Sequence, residues 1–143
     1  MYPAAVIAHD FSPVLLVRTP EDGREDLPSY QAAGGYAALR RALRELKPEG
    51  VLALVEQAEL RGRGGAAFPT ARKWALAREA EAVEKHLVAN GGEHEPGSRK
   101  DRTLLALRPH LVIEGAVLAA FATGARTAWI YVIQDMADAI AAI

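Results

Sequence analysis

Residues 86–92 read HLVANGG, and residues 126–133 read RTAWIYVI. HLVAN is short, apolar and stopped by Gly91-Gly92, which predicts a strand over 86–90. RTAWIYVI is β-branched and aromatic, which predicts a second strand. Between them, Ser98-x-x-Asp101 offers a capping signal for a helix over 101–107. Residues 109–122 are apolar nearly all round, so a helix there is expected to be sandwiched inside the protein, with Gly124 stopping it. MADAIAAI (136–143) begins one more helix. Strand, helices, strand, helix is the signature of an α/β fold with parallel strands. Ligands of such sheets sit beyond the carboxyl ends of the strands. The loop over 91–100 leaves that end of the first strand, so a ligand is expected there.

Upstream, YAALRRALRELK places Tyr36, Leu39, Ala42, Leu43 and Leu46 at helical spacing. Pro48 suits the first turn of the next helix, PEGVLALVEQAEL, where its missing N–H costs nothing. That helix is expected to bury Val51, Leu52, Leu54, Val55 and Leu60. A third helix is predicted over 69–85, with Pro69 near its start. Residues 1–29 carry Pro3, Pro13, Pro20 and Pro28 with acidic pairs Glu21-Asp22 and Glu25-Asp26. This is loop chemistry with one short strand at Val14–Val17, and it predicts an arm lying over the rest.

The chain has 143 residues, half of them apolar, which suffices for one domain with a buried core. Its formal net charge of −1 gives no basis for electrostatic capture of nucleic acid or an anionic membrane. It has no cysteine, which excludes disulfides, thiolate metal sites and iron–sulfur ligation within these residues. The N-terminal MYPAAVIAHDFSPVLL is too broken by Pro3, His9, Asp10 and Pro13 for a secretory core. LVIEGAVLAAFATGA (111–125) falls short of the roughly 20 apolar residues of a membrane span.

Two loops carry the chemistry. RGRGGAAFPT (61–70) sets Gly62, Gly64 and Gly65 between one helix and the next. Glycine lets another group approach the backbone, and a helix N-terminus adds partial positive charge. With Arg61, Arg63, Arg72 and Lys73 around it, the loop fits a phosphate cradle. It equally fits a tight helix–helix turn with solvated arginines. It is neither a Walker A loop, lacking Gly-Lys-Ser/Thr, nor a dinucleotide fingerprint, lacking the later glycine and a preceding strand. The second loop carries Asn90, Glu93, His94 and Glu95, with Lys100, Asp101 and Arg102 beyond. The Asn90 amide suits the edge of a heteroaromatic ring, and the carboxylates suit ribose hydroxyls or amides. A metal site is disfavoured by the Glu-His-Glu spacing, and a solvated polar loop stays open.

Taken together, RGRGGAAFPTARKW, VANGGEHEPGSRKDR and LRPHLVIEGAVLAAFATGARTAWIYV are far more specific. Their order and spacing resemble the flavoprotein subunit of respiratory complex I, a module shared with NAD-linked hydrogenases and NAD-dependent formate dehydrogenases. YQAAGGYAALRRAL extends the resemblance to about residues 30–143. It implies a Rossmann-like parallel-sheet half-domain rich in helices and truncated, with 1–29 as an extended arm and 30–143 as the N-terminal portion of an FMN/NADH-binding domain. It implies a module that passes hydride from NADH to FMN and electrons onward to iron–sulfur clusters and quinone or another acceptor. By resemblance, Gly62, Arg63, Gly64, Gly65 and Lys73 lie about the FMN phosphate. Asn90, Gly92 and Glu93 fall at flavin-loop positions, and Phe68 and Glu95 on the NADH side. No residue here is assigned the chemistry itself.

The resemblance also implies partner subunits, iron–sulfur clusters only in those or in a C-terminal region outside these residues, and a cytoplasmic location, at most peripheral to the membrane. The family has Gly where Ala67 stands, Asp where Gly92 stands, Gly where His94 stands and an aromatic residue where Arg99 stands. Ala67 is expected to crowd the loop, Gly92 to remove a carboxylate, and His94 to meet a backbone strain. The expected site is incomplete within these residues, so the isolated chain is expected to be inactive. The alternative expectation is a non-catalytic paralogue acting as a binding or assembly protein.

Overall fold

In the computed structural model, which describes Leu15, Leu16 and residues 23–143, both expected strands form and pair in parallel. The elements in order are α1 (Leu27–Ala32), α2 (Ala37–Glu45), α3 (Pro48–Gln57), α4 (Thr70–Glu79), β1 (His86–Gly91), α5 (Lys100–Leu107), α6 (Pro109–Thr123), β2 (Thr127–Val132) and α7 (Ala137–Ile140). The strands pair from His86↔Thr127 to Gly91↔Val132, so Asn90 stands opposite Tyr131. The connection through α5 and α6 is the crossover that parallel pairing requires. The chain is therefore α/β, as its sequence indicates.

Helix α6 explains its own composition. One side meets the cluster of Ala42, Val51 and Ala122, joined by Leu46, Trp74 and Phe121. Val112, on its other side, packs on Leu105, Met136 and Ala139, together with Ile130 and Val132 of β2. Contacts with α2, α3 and α4 on one flank and with α5, β1 and β2 on the other leave it no polar face. The longest apolar segment is thus a core helix. Among the described residues no single helix is long and apolar enough to cross a membrane, and α5 and α6 are bent by 100° where they meet.

Several local expectations are corrected. Helix α3 buries Val51, but Leu54 is exposed within it, and Leu60, also exposed, already lies beyond its end at Gln57. Helix α4 ends at Glu79 rather than at 85. Ala80 turns extended, and the Lys85 ammonium bonds the Arg78 carbonyl, which steers residues 80–85 toward β1. Tyr36 is not helical: it caps α2 in the left-handed region at φ 59°.

The boundary expected at residue 29 falls inside α1, whose first turn Asp26 caps through Ser29 N at 2.8 Å. Glu25 is not solvated loop chemistry. It is buried against Arg108, 3.1 Å away, and its N–H donates to the Leu107 carbonyl. Of the strand expected at Val14–Val17, Leu15 and Leu16 form a bend, and the rest lies outside the described residues, as does the arm over 1–14 and 17–22.

Candidate functional site

The glycine stretch is a loop pinned at its neck. Arg61 bridges Pro69 in antiparallel fashion, Gly62 N donates to Phe68 O at 2.9 Å, and Thr70 N donates to Leu60 O at 2.8 Å. Among the described residues, the N–H groups of 63–68 donate to no backbone carbonyl. A β-carbon on Gly64 or Gly65 would meet nothing within 4 Å, so packing within this chain does not require glycine there. Gly65 takes φ 96°, and Ala67 takes φ 49°. Ala67 thus occupies a left-handed position that favours glycine, so the structure shows backbone strain there in place of the expected crowding.

Cations surround the loop. The Lys73 ammonium lies 3.8 Å from where a Gly62 β-carbon would stand. Arg72 stands over the Phe68 ring, 5.8 Å from its centre, in a cation–π arrangement. Arg61 reaches the Ala67 carbonyl at 3.5 Å. Among the described residues, none of Arg61, Arg63, Arg72 and Lys73 forms a salt bridge, whereas Arg78, Arg102 and Arg108 each have a carboxylate. Open N–H groups at a helix start with four cations lacking acidic partners form an arrangement suited to an anion.

At the carboxyl end of β1, Asn90 is exposed and its Oδ1 accepts from Gly92 N at 2.9 Å. A backbone N–H requires an oxygen opposite it, so the amide orientation is fixed, with the NH2 donors and the second lone pair of Oδ1 left over. Gly92 is tightly placed. A β-carbon there would stand 2.6 Å from Tyr131 Cε1 and 3.0 Å from Asn90 Oδ1.

Glu93 is buried and faces inward. It accepts from Ser98 Oγ at 2.6 Å, Asp101 N at 3.2 Å and Arg102 N at 3.3 Å. It caps α5, in place of the expected Ser98–Asp101 pairing. Burial pushes its pKa up, but the Ser98 hydroxyl, the two N–H groups and nearby Lys100 more than offset this and hold it below the ordinary value. Glu95 and His94 are exposed, and His94 does not take a positive φ, contrary to expectation. A cavity of about 240 Å³ opens beside Asn90 and Gly91, between α5 and the inner face of the sheet.

The structure groups Gly62, Arg63, Gly64, Gly65, Phe68 and Lys73 on one loop and Asn90, Gly92, Glu93 and Glu95 around another. Both loops hang from elements that pack on α6. Among the described residues no hydrogen bond or salt bridge joins the two loops directly. Tyr131, whose ring covers Gly92, carries no signal in the sequence alone. Its position opposite Asn90 is a signal only once the strand register is known. Arg72 as a partner of Phe68 is not among the sequence expectations, although a separation of four residues across a helix start permits the contact.

Residues 55–143 match the model of the Nuo51 FMN-binding domain. An NADH-quinone oxidoreductase subunit of Rhizobium meliloti is 44% identical over 130 residues, covering 91% of this chain and 31% of that protein. The NAD-reducing hydrogenase HoxS subunit alpha of Cupriavidus necator is 48% identical over 86 residues, covering 60% of this chain and 14% of that one. A crystal structure of an NAD+-reducing NiFe-hydrogenase in the H2-reduced state superposes with a TM-score of 0.60 at 44% identity, over 67% of this chain and 17% of that one. The chain thus spans about a third or less of the relatives it matches.

Proposed function

The chain belongs to the Nuo51 FMN-binding domain family, and we propose that its two loops bind FMN within an NADH-oxidising flavoprotein module. The observation that carries this is the glycine loop with open N–H groups and four cations that have no carboxylate partner among the described residues. Gly62, Gly64 and Gly65 let a phosphate approach the backbone, and Arg63 and Lys73 neutralise it. Asn90 donates from its outward NH2 to an acceptor on the ring edge. Gly92 lets the Tyr131 ring lie against the loop beside that edge, and Glu93 fixes the loop by capping α5 rather than by touching the ligand. Phe68 offers an exposed ring, and Glu95 an exposed carboxylate, to a nicotinamide nucleotide.

FMN held by these loops would supply the redox chemistry, hydride acceptance from NADH and single-electron release. The protein residues of the two loops bind and orient. Residues 30–143 are read as the N-terminal portion of the FMN/NADH domain. Iron–sulfur clusters, the electron acceptor and the rest of the nucleotide site are assigned to partner subunits or to the remaining length typical of the relatives. Turnover belongs to that assembly, on the cytoplasmic side, and no NADH oxidation is expected from these residues by themselves.

The test is quenching of FMN fluorescence by the chain and by its Lys73→Ala variant. Saturable quenching that Lys73→Ala weakens about tenfold or more supports the reading, as expected for a lost charge-assisted contact. Absence of quenching, with unfolding midpoints unmoved by FMN or NADH, would instead favour a binding or assembly paralogue.

A further inference from the structure

We infer that Tyr131 is a wall of the ring-binding end of this site, and that its ring occupies the space a side chain at Gly92 would take. This rests on the proposed function and deepens it. Asn90 and Tyr131 are partners in the parallel ladder, so their side chains stand at the same level at the carboxyl end of the sheet. Both are exposed, and Tyr131 is half accessible. The edge of its ring crosses Gly92, with Cε1 2.6 Å and Cδ1 3.0 Å from where a β-carbon would stand. Any side chain at 92 forces the ring to move. The Asn90 amide, locked by Gly92 N, presents donors beside the same ring.

An aromatic face and a pair of fixed donors at one level suit a planar heteroaromatic ring with an acceptor edge, as in a flavin. Tyr131 is thus a positioning residue for the ring, acting apart from the phosphate loop.

The experiment is FMN titration of the chain carrying Tyr131→Leu or Tyr131→Phe, reading both the dissociation constant and the emission of the bound flavin. A phenol against an excited flavin quenches it by electron transfer, and a benzene ring does so far less. Tyr131→Phe is expected to keep the affinity within about twofold and to raise the emission of the bound flavin. Tyr131→Leu is expected to weaken binding roughly fivefold to tenfold, the size of one lost aromatic contact.

Without ligand, Gly92→Ala is expected to lower the melting midpoint when Tyr131 is present and much less in the Tyr131→Leu background. If the wild-type chain binds FMN but both Tyr131 variants match it in affinity and emission, the inference is overturned while the proposed function stands. If the wild type takes up no FMN, both fall. Additive melting shifts for Gly92→Ala and Tyr131→Leu would overturn the packing premise on its own.

Discussion

Ala67 and Glu93 show how single positions set the two loops. Ala67 holds φ 49°, a conformation that costs a non-glycine residue about 1–2 kcal/mol. Glycine at 67 relieves this but adds freedom to the unfolded chain, so Ala67→Gly is expected to stabilise by a net of about 0.5 kcal/mol. Urea denaturation measures it, and a fall in midpoint would refute the strain.

Glu93 acts through its three accepted hydrogen bonds. Its folded pKa lies below the ordinary 4.5. Its contribution is therefore fully present above about pH 4.5 and lost as pH falls through the lower folded value. Glu93→Gln should flatten the acid limb of the stability profile, whereas an unchanged limb would deny Glu93 that role. The sequence made Glu93 conspicuous, but not its direction. A carboxylate in a polar loop reads the same whether it faces a ligand or a helix N-terminus, and only the path of residues 94–99 decides.

Elements are held by acids placed far away in the chain. Glu114, buried on α6, accepts from Tyr36 N at 2.8 Å and Leu39 N at 3.0 Å, and from the Tyr30 hydroxyl. It caps α2 from outside and pins α1 through Tyr30. Burial first, and then the bond to Glu114, push the Tyr30 phenol well above its usual range, so it stays a donor. Tyr36 Oη meets His110 Nδ1 at 3.0 Å, which closes the cluster. Glu114→Ala strands two donors at the start of α2 and the Tyr30 hydroxyl, and is expected to destabilise by about 3 kcal/mol or more, since each orphaned group costs about 1–3 kcal/mol. Chemical denaturation checks this, and a loss under about 1 kcal/mol would contradict the capping role.

Arg108 and Glu25 form a second buried link, between the start of α6 and the segment before α1. Glu25→Ala removes the 3.1 Å ion pair to a buried Arg108 and is expected to destabilise by up to about 3–5 kcal/mol, read by the same measurement. Replacing both by apolar residues should cost less, and equal losses would deny the pairing.

Periodicity made most elements legible, α6 above all, because an all-round apolar helix has one placement. The end of α4 was not legible. AEAVEK continues a good helical pattern, and only the tertiary demand of entering β1 breaks it. Neither were the long-range caps, since no spacing rule links residues so far apart in the chain.

At the scale of the whole molecule, α6 is the platform on which the elements carrying both loops pack, and the parallel pairing of β1 and β2 brings the carboxyl ends of both strands to one edge. The α/β class and the candidate loops were readable because each loop carries its own chemistry in sequence. Their relation to one another was not, because it depends on how α4 and β1 pack on α6.

The central claim is that the glycine loop is a phosphate cradle and the β1 end a ring site. Riboflavin has the same ring as FMN and no phosphate, so the most direct measurement compares the dissociation constants of the two for the wild-type chain. The account predicts that FMN binds at least about tenfold more tightly and that raised salt narrows the difference. Equal affinities, or equal failure to bind, would contradict it.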